Sequence, residues 1–193
     1  MNTADASSTN ENFNLISFLA ADLQRAQVVL HGQANQISSL RLCLGAFSPR
    51  FLPVLLCRLA HWMFLLKLGG VGKLFSLINF FFFGIEIAIR CPIGKGLFLP
   101  HTQGTVIGAW AIGTDVTIFQ GVTLGAKEID FSYIENSRPT VGNAVTIGSG
   151  AKVLGGLVLG NNSRIGANAV VLASVPDNCL AVGIPAKIIT VKD

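Results

Sequence analysis

From Ile147 onward the chain repeats every six residues: IGSGAK, VLGGLV, LGNNSR, IGANAV and VLASVP place Ile147, Val153, Leu159, Ile165 and Val171 in phase without a slip. Upstream, Ile112, Ile118 and Leu124 keep the same step, and Ile93 and Leu99 belong to it as well. The interval from Leu99 to Ile112 is thirteen, one more than two sixes, so one residue is inserted there. Six is neither a helical period nor a simple strand period. It fits a coil of three short flat strands in which each sixth aliphatic residue points inward and stacks on its counterpart one turn away. The small residue, usually Gly or Ala, that follows the inward residue is read as a tight corner that often needs positive φ. Every strand then pairs in parallel with the strands above and below.

Glycine divides the chain, with six of its 21 residues before Ile93 and fifteen after. The expected organisation is a flexible polar N-terminus at 1–12, a helical, apolar and basic region at 13–90, and a β-coil domain at 91–193. The β domain carries one long non-repetitive loop, 127–140, and a cap formed by AVGIPAKII. Phe13 to Leu30 and Ile37 to Phe47 read as amphipathic helices, with Asp22, Arg25 and Arg41 on polar sides. Phe51 to Leu68 and Leu74 to Ile89 are very apolar, but each is shorter than the roughly 20 residues a span needs. Arg58, His61 and Glu86 also interrupt them. These segments are expected to pack on a partner subunit or to dip into a bilayer face.

Hydrophobic residues make up 51% of the chain and charged residues 12%, with a mean hydropathy of +0.59, which excludes disorder as the overall state. Between Arg41 and Lys95 seven Lys or Arg face a single acid, Glu86, so this stretch carries +6 and the remainder −2. No basic cluster interleaves with aromatics, so nucleic acid is not an expected partner, whereas an anionic membrane surface fits. The four cysteines form no C-x-x-C pair and are expected to be reduced and buried. The first dozen residues lack the basic and apolar segments of a signal peptide, so the expected location is the cytoplasm.

Of three histidines, His31 lies in a polar connector and His61 on an apolar helix, where a structural role is expected. His101 interrupts the repeat in LPHTQG beside a Gly-rich corner. An imidazole there can take a proton from a hydroxyl near neutral pH. A carboxylate commonly orients such a base, and Glu86, fifteen residues upstream, is the nearest preceding acid. With one histidine in the coil, metal-dependent catalysis is not expected.

RLAHW, IGKGLFLPHTQGTVIG, VTIFQGVTLGA, IGSGAKVLGG and AVGIPAKII together resemble the serine O-acetyltransferase branch of the left-handed parallel β-helix acyltransferases. The resemblance covers about two thirds of the chain. It implies a mainly β fold, a left-handed parallel β-helix with an N-terminal helical region, assembled as a homotrimer or a dimer of trimers. It also implies acetyl-CoA as acyl donor and direct transfer in a ternary complex. His101 becomes the general base and Glu86 its orienting acid. Gly125 and Ala126 lie near the thioester, Ser149 and Ala167 line the pantetheine groove, and Lys187 meets a coenzyme A phosphate.

Serine enzymes carry an Asp before the base and an Arg-His pair before the loop proline. Here those positions are Pro100, Ser137 and Arg138, which leaves Arg138 as the candidate substrate-binding residue. GIEI followed by IGKGL resembles the acetyltransferases of capsule, exopolysaccharide and lipopolysaccharide biosynthesis. The expected acceptor is therefore a sugar hydroxyl, free or lipid-linked, handled at or near the inner face of the membrane. Serine O-acetylation is the alternative, and a non-catalytic scaffold is a third reading.

Overall fold

The computed structural model describes residues 13–32, 48–130 and 132–190. The expected polar N-terminus at 1–12 and the helix expected at 37–47, with Arg41 and Cys43, lie outside these residues. Helix α1 spans Leu15–His31; the Asn14 side chain accepts the Ser17 N–H at 3.0 Å, and left-handed Gly32 closes its far end. Helices α2 (Leu52–Leu65) and α3 (Gly69–Phe83) form a hairpin. Asn79, near the end of α3, donates to the carbonyl of Pro53 at the start of α2 at 2.9 Å. Gly72 permits the close approach, since a Cβ there would lie 2.7 Å from the Ala60 carbonyl oxygen.

The apolar run expected as one segment to Ile89 stops at Phe83. Gly84 adopts φ 61, and the alternation in Ile85–Ile87 then forms the first strand, ahead of the expected boundary at residue 91. Among the described residues no helix is long and apolar enough to cross a membrane.

Beyond α3 the chain winds into a left-handed parallel β-helix with three parallel faces. On the first, Ile87, Ile107, Leu124, Val153 and Val171 lie in register on successive coils. The second aligns Ile93, Ile112, Val141, Leu159 and Val175. The third aligns Ile118, Ile147, Ile165 and Ala181 beneath Leu99, which follows the Phe98–Thr117 bridge. All these side chains are buried in one continuous core. The last coil is closed by an antiparallel hairpin of Cys179–Val182 and Lys187–Thr190.

Two expectations about the corners change. The small residue after the inward aliphatic does not have positive φ. At Gly94 and Gly148 a Cβ would come within 2.6 Å of Gly113 and 2.7 Å of Ala167 backbone, so smallness there serves the approach of adjacent coils. Positive φ falls two residues later, at Gly96, Asp115, Ala144, Asn162, Asn168 and Asn178. The phase break is also larger than one residue. Ile107, not Val106, points inward, eight residues after Leu99 and five before Ile112. Two residues are therefore added at Pro100–Gly104 and one is removed afterwards.

One corner is further tied by a column of side chains. The amides of Thr114, Asn143 and Asn161 each donate at 2.8 Å to the side-chain oxygen of the residue one coil on, Asn143, Asn161 and Asp177.

The helices are joined to the first coil by a buried ion pair. Asp22, expected on a polar face, is 1% exposed, and so is Arg58, expected among the membrane-facing cations. Arg58 Nε and Nη2 donate to the two Asp22 carboxylate oxygens at 2.8 and 2.9 Å. Its guanidinium also donates to the carbonyls of Ile93 and Gly94 at 2.5 and 2.6 Å, while Asp22 accepts the Leu97 N–H at 2.9 Å. Helical periodicity made Asp22 look solvated because the partner that buries it lies 36 residues away.

Removing one member leaves the other charge buried and unpaired. Arg58→Met should cost about 3–5 kcal/mol in thermal or denaturant unfolding, and Asp22→Leu combined with Arg58→Met should recover much of that loss. Single variants as stable as the wild type would show that the pair is not holding the helices.

Candidate active site

His101 occupies the bulge made by the two added residues. Its neighbours fix the bulge to the turn after α3: Thr102 Oγ1 donates to the Phe83 carbonyl at 2.7 Å, and the Gly104 N–H donates to Gly84 at 2.9 Å. The Gln103 carbonyl accepts the Gly121 N–H at 3.0 Å, so the regular stacking resumes immediately after the bulge. The added length leaves the imidazole exposed at the surface of the coil. There it can meet a substrate hydroxyl directly.

Beneath the bulge runs the column that contains two of the expected donor-binding residues. The Gly150 N–H donates to Gln120, and the Asn168 N–H donates to Ser149, both at 2.8 Å; Ser149 and Ala167 thus occupy matching corners one coil apart. Gly125 ends the strand Thr123–Gly125, and a Cβ at that position would have open space around it. Ala126 follows it, half-buried. Lys187 lies apart, exposed on the closing hairpin opposite Val182.

Glu86 projects outward from Ile85–Ile87, opposite Val106, but among the described residues no hydrogen bond or ion pair joins it to His101. It lines a groove against α3 instead. The outward row continues through Thr123 and Lys152. Lys152, which sequence reasoning missed, donates to the Gly121 carbonyl at 2.5 Å and to Thr123 Oγ1 at 3.1 Å. Its signal was its place in the repeat, on an outward position of the same face.

Arg138 is held within the protein through all three guanidinium nitrogens. Nε donates to Asp130 Oδ2 at 2.8 Å, Nη1 to the Gly108 carbonyl at 2.8 Å and Nη2 to the Asp130 carbonyl at 3.0 Å. The guanidinium also lies 4.2 Å from the centre of the Tyr133 ring. Asp130, the second residue that sequence reasoning missed, accepts the amides of Ser132, Tyr133 and Ile134. Tyr133 donates its hydroxyl to the Ala109 carbonyl at 2.6 Å. The excursion from the repeat is therefore a pinned flap, and Arg138 is its staple. Desolvation pushes the Asp130 carboxyl up, but the Ile134 amide, Arg138 and the Ser132 amide together hold it below the usual carboxylate range.

The other titratable groups nearby are structural. Burial lowers the His61 pKa against the opposing hydrogen bond to the Ile89 carbonyl, so the neutral ring donates from Nδ1 at 2.9 Å. Burial pushes the Cys57 thiol up to about 11 and raises Cys91 as well, so neither supplies a thiolate at neutral pH.

A bacterial transferase hexapeptide model of six repeats matches residues 138–173. Serine acetyltransferase from Helicobacter pylori is 46% identical over 138 residues, covering 70% of this chain and 79% of the relative. The Synechococcus elongatus serine acetyltransferase is 41% identical over 142 residues, and the chain spans 57% of its length. Among solved structures, Neisseria gonorrhoeae serine acetyltransferase superposes with a TM-score of 0.79 at 27% identity, covering 97% of this chain and 70% of that one. A serine acetyltransferase in complex with CoA gives 0.76 at 29% identity, covering 95% of this chain and 73% of that one.

The fold and its repeats define a hexapeptide acyltransferase. Within that class, the chain belongs to the serine acetyltransferase family. The expected sugar acceptor is overturned by the same relatives, 40–46% identical, which are serine acetyltransferases. The lack of charge at Pro100 and Ser137 bears on those two positions alone. The basic stretch that suggested a lipid-linked acceptor also loses Arg58 to the interior.

The flap should respond to acid. Asp130 is held below its unfolded value, so its contribution is complete above about pH 4 and is lost as the pH falls through the lowered value. Amide exchange at Ser132–Ile134, corrected for intrinsic rates, should accelerate in that acid range, and Asp130→Asn should show the faster exchange already at neutral pH. Equal protection in the variant at neutral pH would rule out the carboxylate as the anchor.

Proposed function

We propose that this protein transfers the acetyl group of acetyl-CoA to the hydroxyl of L-serine. It is an acetyl-CoA-dependent acyltransferase, and acetyl-CoA is its donor. The observation that carries the catalytic role is His101, lifted out of the coil on two added residues and held there by Thr102 and Gly104. Identity of 46% to an enzyme named serine acetyltransferase supports the acceptor.

In this reading His101 takes the serine hydroxyl proton as the oxygen attacks the thioester carbonyl. Backbone N–H groups around Gly125 and Ala126 stabilise the oxyanion. Collapse of the tetrahedral intermediate breaks the C–S bond, and the proton held by His101 passes to the departing thiolate. The products are O-acetylserine and CoA. Ser149 and Ala167 line the path of the pantetheine arm, and Lys187 meets a phosphate. A homotrimer with active sites between neighbouring coils, working in the cytoplasm on soluble substrates, belongs to the same proposal.

Thiol release from acetyl-CoA should saturate with L-serine. His101→Ala should lower kcat about 10²- to 10⁴-fold while the fold and CoA binding persist. Undiminished turnover in that variant would remove His101 from the mechanism, and no turnover with L-serine in the wild type would refute the acceptor.

A further inference from the structure

The outer face of α3 is apolar along its whole length. Of the side chains on this helix only Lys73, Ser76 and Asn79 are polar. Asn79 is turned inward to Pro53, and Gly72 sits against Ala60. On the opposite side Val71, Leu74, Leu77 and Phe81, spaced three and four apart, are exposed, with Phe80 and Phe82 beside them. Phe81 and Phe82 are 72% and 76% exposed. α3 packs chiefly on α2 and on the first strand, while α1 packs on α2, so no described element covers this face. A helix that is apolar all round is normally buried, and a contiguous exposed apolar patch marks a contact surface.

The charge of the region selects what lies against it. From Arg25 to Ile85 the chain contains no Asp or Glu. Arg58 is buried, which leaves Lys67 in the turn and Lys73 on α3 as the exposed charges of the helical hairpin. Glu86, the next acid, belongs to the first strand and lines the groove on the Lys73 side of α3. Two copies meeting through this face would bring lysines to lysines, with no acid in the hairpin to answer them. A bilayer with anionic headgroups offers negative charge at its surface and hydrocarbon just beneath it. At 15 residues α3 is too short to cross such a bilayer, so it would lie along the interface.

We propose that α3 docks this protein on anionic lipid bilayers, with Leu74, Phe81 and Phe82 entering the outer acyl region and Lys67 and Lys73 held at the headgroups. This goes beyond the acetyl-transfer reading and does not depend on the acceptor, because serine and acetyl-CoA both reach the site from water.

The test is co-sedimentation of the full chain with vesicles of phosphatidylcholine, alone or mixed with phosphatidylglycerol. Wild type should pellet with the mixed vesicles, and less of it should pellet as salt rises. Phe81→Ser combined with Phe82→Ser should weaken that binding about tenfold or more, while thermal unfolding and thiol release from acetyl-CoA stay unchanged because both rings are exposed. Lys67→Gln combined with Lys73→Gln should weaken binding to the mixed vesicles roughly tenfold and leave binding to phosphatidylcholine alone as it was. Wild type that stays in the supernatant with the mixed vesicles would overturn the proposal, as would a double Phe variant that binds them as tightly as the wild type. A soluble oligomer that the double Phe variant splits, without vesicle binding by the wild type, would assign the face to a second copy and overturn it as well.

Discussion

Each coil is held by two interactions that must agree in register: parallel backbone hydrogen bonds to the next coil and an inward aliphatic side chain seated on the one below. Ile118, Ile147 and Ile165 satisfy both at once, since they pair in adjacent strands and share the same core. A slip by one residue would expose the aliphatic and bury its polar neighbour. Close stacking also explains why residues such as Gly94 and Gly148 must be small, while the left-handed turn falls two residues later, at positions that are Asn, Asp or Gly except for Ala144.

A stacked coil has ends, and an uncovered end presents unpaired backbone groups and apolar side chains. Here the Arg58–Asp22 pair reaches from the helices to the carbonyls of Ile93 and Gly94 and the amide of Leu97, satisfying backbone groups of the first coil. The far end is closed by the antiparallel hairpin at Lys187–Thr190. The helical hairpin is thus an end cap that also forms one wall of a groove against the first strand.

The site arises where the repeat fails. A perfect repeat would leave the residues around His101 within the ordinary stacking of the coil. Two added residues push them out, and bonds to Phe83 and Gly84 stop the bulge from collapsing. The second departure, the flap, is secured by Asp130 and Arg138. Arg138, a candidate substrate ligand by sequence, is consumed as a structural clamp.

Much of this was legible in the residues. The unbroken sixes from Ile147 to Val171 required a three-faced coil, because no helix or simple strand buries every sixth residue. The failure of that period marked His101, and the phase was wrong only where two additions and one deletion nearly cancelled. Short-range pattern alone could not reveal Asp22 pairing with Arg58, Arg138 locked onto Asp130, or Glu86 facing α3. Each depends on a partner distant in sequence or on a loop path set by packing. The repeat therefore determined the architecture, since its physics is local and periodic, while tertiary structure decided which charges are buried, which are spent holding loops, and which stay exposed.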